Sequence, residues 1–278
     1  LYVQQARAQD GREEEKLVSE TRQGVISPIL VVLSVVLLIA GGLLIPRPEA
    51  LAAPIVLWGE GASPSAISTG AKPKPAPAAT ATPAPPIKAR VGLQVGHWES
   101  EELPDELAIL RTEHGANAGG VNEVDINYAI AQRVADLLRA RGITVDILPA
   151  TVPSGYTADA FIAIHSDYNN SPTMNGFKLA RFRDSASPAH DDALLSAITV
   201  DYGAATGQPR DGYITRAMTG YYAFNNADFQ HAIAPQTPGV IIELGFLTNP
   251  TDRTLLTEQQ ATVATGLAAG IIRFLTNA

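Results

Sequence analysis

Asp159-Ala-Phe-Ile-Ala-Ile-His165 is a short apolar run that stops abruptly at a histidine. A run of this length and composition reads as a buried strand, so His165 should hang from its carboxyl end. Arg90-Val-Gly-Leu-Gln-Val-Gly-His97 repeats the pattern, a run rich in Val and Leu that ends on a glycine followed by a histidine. Open α/β sheets place their chemistry just outside the carboxyl ends of parallel strands, so the two histidines can converge although they lie far apart in sequence. Outward from these runs the pattern predicts strands near 143–148, 174–182 and 238–244 and helices over 123–141, 190–205 and 257–275. Strands alternating with helices imply an α/β fold, a three-layer domain with a largely parallel central sheet. In the last helix Val263, Leu267, Ile271 and Leu275 recur every four residues, so that helix should cover a sheet face. The segment 206–237, rich in Tyr, Asn and Gly, is the candidate groove wall.

Two carboxylates share the setting of the histidines. Asn122 is a good helix cap with Asp125 three residues on, and Ile126, Ile130, Val134, Leu137 and Leu138 follow at helical spacing, which puts Glu123 on the first turn. Glu243 follows three β-branched residues in Pro238-Gly-Val-Ile-Ile-Glu-Leu-Gly-Phe-Leu-Thr-Asn-Pro250, a buried strand by the same reading. An acid there is costly unless something pairs with it, and partial desolvation raises its basicity. Two imidazoles and one carboxylate are the ligand types of an open catalytic zinc site, and a second carboxylate can take a proton from water. The residue types by themselves indicate metal-assisted hydrolysis.

The stretches Val-Gly-His97, Gly115-Ala116 to Gly120, Glu123-Val-Asp-Ile-Asn127, Phe-Ile-Ala-Ile-His165-Ser-Asp167 and Ile-Ile-Glu243-Leu-Gly-Phe-Leu-Thr-Asn-Pro250 occur in this order. The chain resembles, over residues 90–276, the zinc-dependent N-acetylmuramoyl-L-alanine amidases of bacterial cell-wall turnover. The resemblance implies that His97, Glu123 and His165 hold Zn2+, that Glu243 is the catalytic acid/base, and that the bond cut lies between N-acetylmuramic acid and L-alanine of peptidoglycan. One block departs from the family's: Gln94-Val-Gly-His97 stands where Asp-Pro-Gly-His is usual, and Trp98-Glu-Ser-Glu-Glu-Leu-Pro-Asp105 follows in place of a glycine. A tryptophan beside the metal would narrow the groove or stack on a sugar. Two other readings use the same residues: a zinc peptidase acting on the stem peptide, and a membrane-tethered, non-catalytic peptidoglycan-binding module. Among the remaining side chains, Asp167 suits either a supporting hydrogen bond or a turn, the acids from Glu99 to Asp105 read as a solvated loop, and His114, His190 and His231 lack a comparable context.

The first third of the chain concerns location. Residues 25–45 carry no charge and are about long enough to span a bilayer as one transmembrane helix. Arg7, Arg12, Lys16 and Arg22 precede them while only Arg47 follows closely, so the positive-inside rule keeps residues 1–24 in the cytoplasm and places the rest outside the cell membrane. Cleavage near Ala50-Leu-Ala52, giving a secreted protein, is the alternative. Residues 46–87 form a Pro/Ala-rich linker, with seven of the chain's 20 prolines between Ala62 and Pro86. At polyproline rise such a segment reaches at most roughly 80 Å. Residues 88–278 remain for one catalytic domain, ample for a packed core. A net charge of -8 argues against a nucleic-acid partner, and zero cysteines exclude disulfides and thiolate metal ligands.

Overall fold

In the computed structural model, which describes residues 85–277, the chain runs through β1 (Arg90–Val95), a small ribbon of β2 (Asn117–Ala118) and β3 (Val121–Asn122), and α1 (Glu123–Arg139). It continues through β4 (Thr144–Leu148), β5 (Ala160–Asp167), β6 (Lys178–Ala180), α2 (Pro188–Thr206), the one-turn α3 (Arg216–Thr219), β7 (Gly239–Phe246), α4 (Pro250–Glu258) and α5 (Gln260–Asn277). The expected cytoplasmic segment 1–24, the transmembrane helix 25–45 and nearly all of the linker 46–87 lie outside the described residues. Among the described residues no helix is long and apolar enough to cross a membrane.

Five strands make one sheet in the order β4-β1-β5-β7-β6. The first four are parallel and β6 runs antiparallel at the edge, so the α/β fold with a largely parallel sheet is as the alternating pattern predicts. Period-two alternation splits the side chains between two faces. Val91, Leu93, Val95, Ile162, Ile164, Val240, Ile242 and Leu244 meet the apolar stripes of α1, α2 and α5 in one continuous core. Phe161, Ala163 and Ile241 point the other way, toward Leu103, Leu107, Met218, Tyr222 and Phe224. Long helices therefore form a full layer on one face only. The opposite layer consists of two 3-10 turns, Ser100–Glu102 and Asp105–Leu110, together with α3 and the loops around it.

Three boundaries differ from the expected ones. The strand expected over 174–182 shrinks to Lys178–Ala180 because the backbone of Phe177 bonds Pro209 and Asp211 instead of extending the ladder. The helix expected over 257–275 runs Gln260–Asn277, and a separate helix, Pro250–Glu258, comes before it because Asn249 caps an earlier start by accepting from Thr251 N and Asp252 N, with Pro250 at the first helical position. The acidic stretch after His97 is wound into 3-10 turns; Glu101 and Glu102 stay exposed while Leu103 is buried beneath them.

Candidate metal and catalytic site

Register brings the site together before any loop does. His165 of β5 lies beside Glu243 of β7, and Glu243 lies opposite Lys178 of β6. At the end of β1 the ladder continues through Gly96 N to Ile164 O at 2.9 Å, which puts Gly96 under the His165 ring. A Cβ at position 96 would stand 2.4 Å from the ring, so only glycine leaves the imidazole its place. All of these residues are on the face without long helices, where a groove opens that His97, Glu123, His165, Glu243, Met218 and Tyr221 help to line.

His97 sits just past β1 with φ at 65°, a left-handed backbone that costs a non-glycine residue about 1–2 kcal/mol. That turn aims its ring back toward the sheet end, and Nδ1 meets the carbonyl of Glu113 at 2.8 Å. A carbonyl can only accept, so Nδ1 carries the proton and Nε2 presents a lone pair. Nε2 lies 3.4 Å from Oε1 of Glu123, and Nδ1 of His165 lies 3.1 Å from the same oxygen. The other nitrogen of His165 is 3.0 Å from the Tyr221 hydroxyl.

Glu123 is buried on the first turn of α1, where its carboxylate complements the helix N-terminus. Oε2 accepts from Ala116 N at 2.8 Å, and Oε1 accepts from Ser166 N at 3.2 Å and from Asn127 Nδ2 at 3.3 Å. Burial pushes its carboxyl up, but the imidazoles of His97 and His165 pull further the other way and hold it well below the usual carboxylate range. Gly115, with φ at +81°, lets the backbone pass close by; a Cβ there would meet Glu123 Oε2 and His97 Cδ2 at 2.9 Å. Asn122 is the N-cap residue, although its side chain bonds Asn117 and Asp125 and not the helix backbone.

One ligand atom from each of His97, Glu123 and His165 falls within 4.8 Å of the others. Tetrahedral zinc with bonds of 2.0–2.1 Å sets its ligand atoms about 3.3 Å apart, and the 3.1 and 3.4 Å separations bracket that edge. Two imidazole nitrogens and one carboxylate oxygen, on side chains each held by a further hydrogen bond, are the donor set that suits a zinc ion.

The structure brings His97, Glu123, His165 and Glu243 to one groove, and it places the other sequence candidates elsewhere. Trp98 does not line the groove: its ring packs against Tyr128 of α1, 4.9 Å between centroids, on the helix-covered side. Leu103 and Leu107 supply the wall in its place. Asp167 takes Lys178 Nζ at 2.7 Å, and Asp211 takes it at 3.2 Å. Burial lowers the Lys178 ammonium, the two aspartates more than offset it, and its pKa stands above the ordinary value. His114 and His190 are exposed, and His231 joins Glu106 at 2.8 Å. Sequence reasoning missed Asn127, Tyr221 and the Glu113 carbonyl. Asn127 was within reach, because it follows Glu123 by four residues and so shares its helix face.

A model of the N-acetylmuramoyl-L-alanine amidase family, Amidase_3, matches residues 91–273. The probable cell wall amidase LytH of Staphylococcus aureus is 25% identical over 175 residues, covering 58% of this chain and 55% of that protein. The chain thus spans about half the length of the curated relatives it matches. Among solved structures, the N-acetylmuramyl-L-alanine amidase Ami1 of Mycobacterium smegmatis is similar with a TM-score of 0.54 at 21% identity, over 70% of this chain and 100% of that one. The apo form of Ami1 from Mycobacterium abscessus gives 0.51 at 20% identity, over 67% and 98%. At such identity these two likenesses concern the fold.

Proposed function

The chain belongs to the N-acetylmuramoyl-L-alanine amidase family, and from that premise we propose that it is a zinc-dependent hydrolase of the amide between N-acetylmuramic acid and L-alanine in peptidoglycan. The observation that carries the zinc reading is the convergence of His97, Glu123 and His165 on one point, with Glu243 in register beside His165. When bound, zinc supplies a Lewis acid that polarises the scissile carbonyl, acidifies water and stabilises the developing oxyanion. Glu243 takes the proton of the attacking water and returns it to the leaving amine of L-alanine. His97, Glu123 and His165 are the ligands, oriented by the Glu113 carbonyl and by the backbone amides that grip Glu123.

Digestion of purified peptidoglycan by the full chain, followed by mass analysis of the fragments, tests this reading. The expected products are stem peptides with a free L-alanine amino group and glycan with a free lactyl carboxyl, and a chelator should stop their release until zinc is restored. Cuts within the stem peptide would make the protein a peptidase, and retention of wall polymer without any cut would make it a binding module. The proposed setting is a single-pass cell-membrane anchor at 25–45 and a linker at 46–87 that holds the domain 88–278 outside. External protease should release a fragment of about 190 residues from cells with a permeable envelope; a linker protected until the membrane is dissolved would reverse that topology.

A further inference from the structure

The buried cation beside the site joins the floor of the groove to one of its walls. Lys178 of β6 stands opposite Glu243 in the ladder, and its side chain is only 5% exposed. Its ammonium donates to Oδ2 of Asp167 at 2.7 Å, on the strand end two residues beyond His165. Oδ2 of Asp211, from the loop that follows α2, pairs with it at 3.2 Å. The rings of Phe246 and Tyr213 lie near the same ammonium, with centroids 4.7 and 5.6 Å from Nζ.

Asp211 puts its two oxygens to different uses. Oδ1 accepts from Tyr213 N at 2.9 Å and so bends its own loop, while Oδ2 holds the ammonium. Backbone bonds from Asp211 N to Phe177 O at 2.9 Å, and from Phe177 N to Pro209 O at 3.1 Å, bring that loop to the start of β6. From there the chain enters α3, which Thr215 caps by accepting from Met218 N at 3.3 Å. The far end of α3 is held by Arg183 N, which donates to Thr219 O at 2.9 Å. Thr215, Met218 and Tyr221 of this segment line the groove.

A single carboxylate would neutralise the lysine. The second leaves a buried acid in excess, which costs stability, so charge balance does not account for Asp211. Placement does, because Asp167 belongs to the strand that carries His165 and Asp211 to the segment that forms the wall. We infer that Lys178 is a positioning residue: through Asp211 and Asp167 it clamps the wall 211–222 to the strand end beside His165, and so fixes the width of the groove for substrate. The consequence for turnover rests on the hydrolase reading of this site, whereas the clamp itself is a statement about the fold.

The experiment compares the full chain, with zinc added, as wild type, Asp211→Asn and Lys178→Met. It measures steady-state hydrolysis of a purified disaccharide-peptide fragment of peptidoglycan and, separately, amide hydrogen exchange. Asp211→Asn leaves the pair of Asp167 and Lys178 whole, so it should fold, and it releases only the wall. Its KM should rise on the order of 10-fold with a much smaller fall in kcat. Exchange should quicken in 209–222 while α1 and β5 keep their protection. Lys178→Met frees both arms and should raise KM further. A merely structural role would lower the melting temperature and quicken exchange evenly, with the KM of the folded protein unchanged. That result, a loss confined to kcat, or unchanged exchange in 209–222 of Asp211→Asn would overturn the inference. If 209–222 loosens as expected and the wild type cuts nothing, the clamp stands and the hydrolase reading falls.

Discussion

The two faces of one sheet are built from alternate residues of the same strands, yet they hold different kinds of interior. On one face Ile162, Ile164, Val240 and Ile242 meet three long helices in an apolar core, where the buried Tyr202 hydroxyl is bonded to the Leu244 carbonyl. On the other, one row across the strands reads Gly96, His165, Glu243, Lys178, covered by short turns and loops. The helices close their face because an amphipathic stripe fills a sheet surface evenly. Loops cover unevenly, and the gap they leave is the groove. Charge is also handled differently along the polar row. Lys178 is a cation already supplied to Asp167 and Asp211, whereas the Glu123 carboxylate and the imidazoles of His97 and His165 gather where a metal ion would fit.

If that division of labour is right, substitutions on the two faces should separate function from stability. The largest effect belongs to the polar row. Glu243→Gln should lower turnover on the order of a hundred- to ten-thousand-fold while bound zinc, counted by elemental analysis, stays near wild type. An unchanged rate would move the acid/base role to another carboxylate. On the helix-covered face, Ile162→Ala should cost about 2–5 kcal/mol in denaturant unfolding and leave the zinc content of the folded protein alone. Zinc loss in step with stability would mean that the two faces are not independent.

Gly96→Ala falls between these. Its added methyl meets the His165 ring rather than the apolar core, so zinc affinity should drop about 10-fold or more with a smaller change in unfolding midpoint. The smallest effect concerns the loop layer itself. Glu106 binds the backbone amides of Gln230 and His231 and the ring of His231, tying the turn 105–110 to the loop beyond Phe224. The Gln230 amide, reinforced by His231, holds its carboxyl below the ordinary value. A depressed carboxyl contributes stability above its unfolded pKa, near 4.3, and loses it as pH falls through the folded value. Amide exchange in 100–110 and 229–232 should therefore accelerate in acid, and Glu106→Gln should show much of that loosening at neutral pH. The pair is partly exposed, so global stability should change by at most about 1 kcal/mol.

Sequence reasoning reached as far as local chemistry extends. Strand ends and first helical turns are set by runs of a few residues, so His97, Glu123, His165 and Glu243 could each be placed on the correct kind of element. The parallel sheet followed from the alternation of those elements. Two errors came from signals that were present but underused: Asn249-Pro250 marks a helix start ahead of the one expected, and Asn127 shares a face with Glu123.

The tertiary structure decided what depends on approach in space. Whether Trp98 enters the groove or turns onto Tyr128 depends on the left-handed backbone of His97, which no local pattern in this chain announces. The partners that hold the two imidazoles from behind lie 16 and 56 residues away, the Glu113 carbonyl for His97 and the Tyr221 hydroxyl for His165. The sequence by itself determined the elements, their alternation and the residue types of the site, because these follow from backbone preference and side-chain period over neighbouring residues. Only the fold decided the partners of the two imidazoles and the shape of the groove, because a hydrogen bond depends on direction and distance between groups that the chain brings together from separate elements.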